Sequence, residues 1–403
     1  MSAVLLRQPE RTPPMIVTVE AVAHGGHCVA RAEGRVIFVR HALPGEKVRL
    51  NITDRKKKFW RADAVEILEA SPDRVTAPCK WSGPGQCGGC DFQHVSHDAQ
   101  RRLKADVLTE QLTRLGGVDL TEFGPLEVQP LPGGPLGWRT RMQYAVDREG
   151  KTGLRAHRSH KLIPIDSCPI ATERIQDSDV LQKTWKKAGA VGVVDSDSRN
   201  LAIYTQRSRT AKTYHAGGPK TIHQVIGGAE FELDYDSFWQ VHPEAASTFV
   251  DTVIDLLAPQ EGESAWDLYA GAGVYAMALA EELGEEGRVI AVESSKAGRG
   301  AQNLSGHPNA GMIYGEVSET IGPLGSVDLV VLDPPRSGAG ADVVATIAQS
   351  QPRAVVYVAC DPAALARDVR TFDEHGYRLT QIRAFDSFPM THHFETIVRL
   401  EPR

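Results

Sequence analysis

Ser264-Ala265-Trp266-Asp267-Leu268-Tyr269-Ala270-Gly271-Ala272-Gly273-Val274-Tyr275-Ala276 reads as a strand, a glycine turn and the start of a helix that continues from Met277 to Leu283. A second apolar strand, Arg288 to Val292, ends at Glu293, an acid placed to hydrogen-bond ribose hydroxyls. The pair describes a site for a nucleoside-containing cofactor in an α/β domain. Gly271-x-Gly273-x-x-Ala276 also fits the dinucleotide fingerprint with alanine in its last place, so a nicotinamide cofactor and a purely structural glycine turn both stay open on this segment alone.

The later strands add chemistry at the same edge. Val327 to Leu332 is a near-continuous apolar strand ending in Asp333-Pro334-Pro335-Arg336, where two prolines fix the backbone and hold a pocket wall rigid. The apolar run Ala354 to Ala359 ends at Cys360, followed by a helical stretch from Pro362 to Val369 with Asp361 as N-cap. The positive end of that helix is expected to lower the thiol pKa and prime a nucleophile, the alternative being a packed, inert cysteine. Open α/β enzymes keep their chemistry at such strand ends, and the combination points to S-adenosylmethionine-dependent methyl transfer. In the final segment, Thr391 to Leu400, a strand opens with His392, His393 and Glu395. Neighbours on a strand point to opposite faces, which argues against a metal held by His392 and His393. Glu395 is either a salt-bridging strand residue or a base near Cys360.

Six ordered motifs carry a resemblance: Phe238-Trp239-Gln240-Val241-His242, Asp267-Leu268-Tyr269, Val292-Glu293, Asp333-Pro334-Pro335-Arg336-Ser337-Gly338, Tyr357-Val358-Ala359-Cys360-Asp361-Pro362 and His392-His393-Phe394-Glu395-Thr396. With them nearly the whole chain resembles the uracil-5 (5-methyluridine) RNA methyltransferases. The resemblance implies that Gln240, Tyr269, Glu293 and Asp333 contact S-adenosylmethionine, that Cys360 is the nucleophile and that Glu395 is the base. Two departures stand out. Val274 occupies a place where the family often has Asn, and Ala359-Cys360-Asp361-Pro362 replaces the commoner Ser-Cys-Asn-Pro.

The reaction explains the residue types independently. Uracil carbon 5 is too weak a nucleophile to take a methyl group unaided, so a thiolate adds at carbon 6 and turns the ring into an enolate. A base must then remove the carbon 5 proton before the thiol can leave, a role suited to a carboxylate in a dry pocket. A base stacked in a helix cannot reach such a pocket, so the substrate is folded RNA with an accessible uridine. Two other classes remain. One is methylation of cytosine carbon 5 or of an exocyclic amine, although amine enzymes usually follow Pro-Pro with an aromatic where Arg336 stands here. The other is a non-catalytic RNA-binding or cluster protein with a degenerate methyltransferase fold.

Cys79, Cys87, Cys90 and the distant Cys168 form a second constellation, with Cys87-Gly88-Gly89-Cys90 as a tight metal-type knuckle. Four thiolates suit tetrahedral zinc or an iron-sulfur cluster, and spacing does not separate them. The family resemblance favours a [4Fe-4S] cluster, since Cys168-Pro169 is kept, although the first gap is seven residues where the family has five. A disulfide is disfavoured because Met1 to Pro14 lacks the apolar core of a secretory signal. Cys28 reads as a small packed residue.

At 403 residues the chain is expected to hold two or three domains, and no apolar stretch reaches the roughly 20 residues of a membrane span. A cytoplasmic monomer is expected. The net charge of −6 is unevenly spread: residues 1–234 carry 34 Lys and Arg against 27 Asp and Glu, a balance of +7, whereas residues 235–403 stand at −13. The RNA surface is therefore expected in the amino-terminal and central parts. Ile16 to Leu68 alternates apolar and polar residues with glycine turns, which reads as a small β-barrel. Its Arg55-Lys56-Lys57-Lys58-Phe59-Trp60-Arg61 segment offers phosphate-binding charge and stacking rings, with a solvated hairpin as the alternative. The segment resembles the TRAM domain, an RNA-binding module fused to some uracil-5 enzymes, and the fusion points to the 23S ribosomal RNA branch, with transfer RNA as the alternative. The expected architecture is a TRAM- or OB-like barrel over 1–73, a cysteine-cluster β domain over 74–234 and a Rossmann-like class I methyltransferase domain over 235–403. A helix from Asp98 to Leu115, with apolar residues at 3.6-residue spacing, is expected to pack on the last of these.

Overall fold

The computed structural model describes residues 15–197, 200–207 and 212–403. The stretch Met1 to Pro14, read above for a signal segment, lies outside them.

An eight-stranded sheet organises the carboxyl-terminal half. Its strand order is Ala310–Tyr314, Arg288–Glu293, Ser264–Leu268, Leu329–Leu332, Ala354–Ala359, Glu395–Pro402, Tyr377–Asp386 and Val128–Pro130. The first five run parallel, and Glu395–Pro402 is antiparallel to both of its neighbours. Parallel strands need both faces covered, which is why Ala354–Ala359 is buried at every position and reads as an unbroken apolar run. Helices Ala245–Leu257 and Val274–Leu283 cover one face with Val331, Val356 and Val358 beneath them, and Ala341–Gln349 and Pro362–Glu374 cover the other over Val330, Leu332 and Val355. Strand order reverses between Ser264–Leu268 and Leu329–Leu332, which opens a crevice at their carboxyl ends.

Met15–Ala23, His27–Ala32, Arg35–Arg40, Lys47–Arg55 and Phe59–Glu69 close into a five-stranded barrel. Strands Arg35–Arg40 and Phe59–Glu69 pair parallel and the rest antiparallel. A six-stranded antiparallel sheet from Arg141–Val146 to Thr213–Gly217 forms the centre, followed by the hairpin Thr221–Ile226 and Ala229–Asp234.

The helix His97–Arg114 serves two cores. Ala99, Leu103 and Val107 join the barrel core, whereas Ala105, Leu108 and Leu112 pack with Val128, Ala366, Ala384 and Phe394 of the catalytic half. Its charged face is not wholly outward. Lys104, 1% exposed, places Nζ 2.5 Å from Asp386 Oδ1. Although burial pushes the Asp386 carboxyl up, Lys104 and His97 together hold it below the usual carboxylate range. Gln100 donates to the carbonyls of Phe92 and Val95 and accepts from Met390 N. The helix thus packs on the catalytic half as well as on the barrel, and the strand Val128–Pro130 joins the catalytic sheet from outside the range 235–403, because a three-residue strand leaves no periodicity to read.

Candidate active site and cysteine cavity

The sheet register assembles the crevice. Leu268 pairs with Val292 on one side and Leu332 on the other, so Tyr269, Glu293 and Asp333 leave their strands at one level. Asp333 N donates to Leu268 O at 3.2 Å. Ala359 pairs antiparallel with Thr396, and the next step of that register sets Cys360 across from Glu395. A parallel partner would have carried position 395 to the opposite end of the sheet.

Gln240, Tyr269, Gly271, Val274 and Asp333 line one cavity with Phe238, Trp239 and Tyr275. Glu293 holds its floor: Oε2 accepts from Gly271 N at 2.9 Å and Oε1 from Ser295 N at 2.6 Å. Tyr269 adopts φ 64°, a left-handed backbone that costs a non-glycine residue roughly 1–3 kcal/mol and here turns the chain sharply at the strand end. Gly273 caps the next helix at φ 82°. Asp267, fully buried, accepts from Ala276 N at 2.9 Å, and Asn303 Nδ2 donates to Ala272 O at 3.0 Å. Asp267 belongs to one of the six motifs, whereas Asn303 is a brace that sequence reasoning missed. Asn303 lies 31 residues from the group it holds and carries no local signal.

Carboxylates dominate the electrostatics. Burial raises Asp333 to about 7 and Asp267 to about 8. Glu395, 4% exposed, is raised well above its ordinary value by burial and then by Asp333, with Arg336 opposing. Asp333 lines the cavity, where a cationic ligand would favour its charged form, and the lining therefore fits the sulfonium of S-adenosylmethionine. Val274 supplies an apolar wall in place of the family's polar contact.

The expected lowering of the Cys360 pKa is corrected. Burial first, then Glu395 and Asp333, push the thiol up to about 12, with Arg336 opposing. The helix does begin as read: Asp361 Oδ1 accepts from Ala363 N at 3.1 Å and Ala364 N at 2.8 Å, with Pro362 in the first turn. Burial, then two facing carboxyls and last the Asp361 cap, set the direction of the shift.

His392 and His393 precede the strand rather than opening it. Their rings lie 3.9 Å apart, centroid to centroid, so the argument from opposite strand faces does not apply. His392 Nδ1 lies 2.6 Å from Asp91 Oδ2, Arg40 Nη2 lies 3.3 Å from Asp91 Oδ1, and His393 Nε2 lies 3.2 Å from Arg336 Nη2. Burial works to raise Asp91, yet the His392 hydrogen bond and charge and Arg40 bring it to about 2.

Far from this crevice in sequence, Cys79, Cys87, Cys90 and Cys168 line a cavity of about 230 Å³ with Trp81, Gln93, Arg139 and Met142. All six cysteines are free thiols. Burial pushes Cys90 to about 12 and Cys168 to about 11, and neighbouring cysteines add to both. Gly89 N donates to Cys87 Sγ at 3.4 Å. Four thiols on one cavity are the kind of donor set that an iron-sulfur group takes. Among the described residues no group of three or more His, Cys, Asp or Glu is gathered so as to hold a single metal ion. Cys28 is packed in the barrel and lies 3.3 Å from Ala42 O.

On the barrel, Arg35 and Arg55 stack over Trp60 at 5.3 and 4.9 Å, and Arg61 over Phe59 at 4.9 Å. The expected rings and charges therefore share one surface, with guanidinium planes already covering the aromatics. No described helix is long and apolar enough to cross a membrane.

Comparison with known proteins agrees with this geometry. A family model for tRNA (Uracil-5-)-methyltransferase matches residues 325–403, which hold Asp333, Cys360 and Glu395, and a TRAM domain model matches residues 15–65. A Streptomyces avermitilis protein described as an uncharacterized RNA methyltransferase is 43% identical over 96% of this chain and 98% of its own length. The 23S rRNA (uracil(1939)-C(5))-methyltransferase RlmD of Shewanella denitrificans is 28% identical over 98% of this chain and 97% of its own. The crystal structure of the Pyrococcus abyssi tRNA (uracil-54, C5)-methyltransferase with S-adenosyl-L-homocysteine shares the fold, at a TM-score of 0.71 and 22% identity over 95% of this chain and 99% of that one. The chain belongs to the S-adenosylmethionine-dependent uracil-5 RNA methyltransferases, with a TRAM domain at its amino-terminal end.

Proposed function

We propose that this enzyme methylates carbon 5 of a uridine in 23S ribosomal RNA through a covalent bond between Cys360 and uracil carbon 6. The observation that carries the reading is the antiparallel register that sets Cys360 across from Glu395 beside the cavity of Gln240, Tyr269 and Asp333. Gln240, Tyr269, Glu293 and Asp333 hold S-adenosylmethionine, which when bound supplies an electrophilic methyl on a sulfonium. Phe238, 75% exposed at the cavity rim, offers a face on which an unstacked base can lie.

The Cys360 thiolate adds to carbon 6, forming a carbon-sulfur bond and moving the ring electrons toward oxygen 4 as an enolate. Carbon 5 takes the methyl with that electron pair; bound S-adenosylmethionine would give it up by cleavage of its methyl–sulfur bond, the electrons staying on sulfur in the neutral thioether S-adenosylhomocysteine. Glu395, as carboxylate, accepts the carbon 5 proton; the enolate re-forms, the carbon-sulfur bond breaks and the thiolate is released. Arg336 favours the charged form of both Cys360 and Glu395.

The ribosomal substrate rests on full-length similarity to the Shewanella enzyme. The barrel over 1–73 and the central unit over 74–234 supply the RNA surface, 235–403 the chemistry, and Cys79, Cys87, Cys90 and Cys168 a [4Fe-4S] cluster that pins the central loops. We place the enzyme in the cytoplasm, as a monomer, where its RNA is made.

Nucleoside mass spectrometry on RNA from cells lacking the enzyme, after incubation with labelled cofactor, tests the reading. 5-Methyluridine mapping to 23S RNA is expected; label in transfer RNA alone would reassign the substrate, and 5-methylcytidine would overturn the reaction. Glu395→Gln is expected to trap the thiol-RNA adduct on a denaturing gel, because release needs proton removal. Absence of adduct in a single turnover removes Glu395 from the base role.

A further inference from the structure

His24, in the barrel turn between Met15–Ala23 and His27–Ala32, places Nε2 3.2 Å from Asp361 Oδ2. Asp361 directly follows Cys360, and its other oxygen is already committed to the helix amides of Ala363 and Ala364. The turn can come this close only because of its glycines. Gly26, at φ 75°, has no room for a Cβ, which would lie 2.8 Å from Asp91 Cγ and 3.0 Å from His392 Cβ. The barrel is thus seated on the catalytic loop itself.

An ionised carboxylate next to a thiol that must ionise works against it. Asp361 is ionised: burial works to raise it, but the His24 hydrogen bond and the helix amides bring it below the usual range. The charged groups acting on the thiol are Glu395, Asp333, Arg336 and Asp361. His24 in turn shares a small cavity with Lys104 and His392, behind which stand Asp386 and Asp91.

We propose that His24 is a positioning residue of the active site: an imidazole, carried by the barrel, that engages the free oxygen of Asp361 and so eases the ionisation of Cys360 beside it. The barrel then completes the catalytic centre as well as holding RNA. The idea rests on Cys360 being the reacting thiol, and its test reads that thiol directly, apart from methyl transfer.

The rate of iodoacetamide alkylation at Cys360, followed by peptide mass spectrometry in the full-length protein across pH, is the measurement. His24→Ala is expected to slow alkylation about three- to tenfold near neutral pH and to move the profile to higher pH. His24→Gln, which keeps a donor toward Asp361, should fall between His24→Ala and wild type. Asp361→Asn keeps the helix cap and removes the charge, so the double variant should return to the Asp361→Asn rate. A profile for His24→Ala superimposable on wild type, or a double variant that shows the sum of the single effects, overturns the proposal. Should His24→Ala fold poorly, His24→Gln against His24→Gln with Asp361→Asn decides it in the same way. Methyl transfer that fails while these profiles hold counts against the proposed reaction and leaves the role of His24 standing.

Discussion

Cys360 and Cys90 are both pushed to about 12 by burial, yet their neighbours differ in kind. Cys360 faces Glu395, Asp333, Asp361 and Arg336, groups whose balance changes when a cation or an RNA base enters the crevice. Cys90 faces other sulfurs, Cys168 and Cys87, which push it the same way as burial. In the proposed reading the same desolvation would serve a single thiol that ionises in each turnover and a ring of thiols that ionises on loading a cluster. Geometry sets the division: the first sits at an open strand end, the second around a cavity built from loops of the central unit.

Removing each sulfur breaks the comparison most sharply. Cys360→Ala is expected to lose at least about 10⁴-fold in methyl transfer while keeping its iron, its fold and its affinity for labelled cofactor in equilibrium binding. Residual transfer near the wild-type rate would remove the covalent step. A smaller but graded effect is expected from pH. Thiolate rises tenfold per unit below the thiol pKa, so alkylation of Cys360 without RNA should climb about tenfold per pH unit from about 7 to 9. A profile already flat at neutral pH would show that the helix end outweighs the carboxylates after all. The smallest effect on chemistry is expected from Cys90→Ser. It should abolish iron binding and the visible absorbance of the cluster and lower Tm by roughly 5–10 °C, with Cys360 alkylation changed by less than about twofold. Unchanged iron content would move the ligand set elsewhere.

The buried Lys104–Asp386 pair links the two regions through the helix His97–Arg114. Breaking a buried pair by removing one partner typically costs about 3–5 kcal/mol, because the other charge is stranded. Lys104→Ala is accordingly expected to lower the urea midpoint without altering the iron content of the folded protein. A midpoint within error of wild type would mean the pair is dispensable to packing.

What depends on local backbone chemistry is legible along the chain. The glycine turn after Leu268, the Asp361-Pro362 helix start, the alternating barrel strands and the strand ends that carry Asp333 and Cys360 are each written within a few residues. Resemblance supplied the roles. Only the tertiary structure decided what depends on distant partners. The antiparallel return of Glu395–Pro402 sets Glu395 across from Cys360, and the three-residue strand Val128–Pro130 joins a sheet from outside its expected domain. Likewise burial, and after it the carboxyls around Cys360, push the thiol up where a helix start alone would lower it, and His24 reaches Asp361 from 337 positions away. Charge and register act through space, so neither leaves a mark on neighbours in the chain.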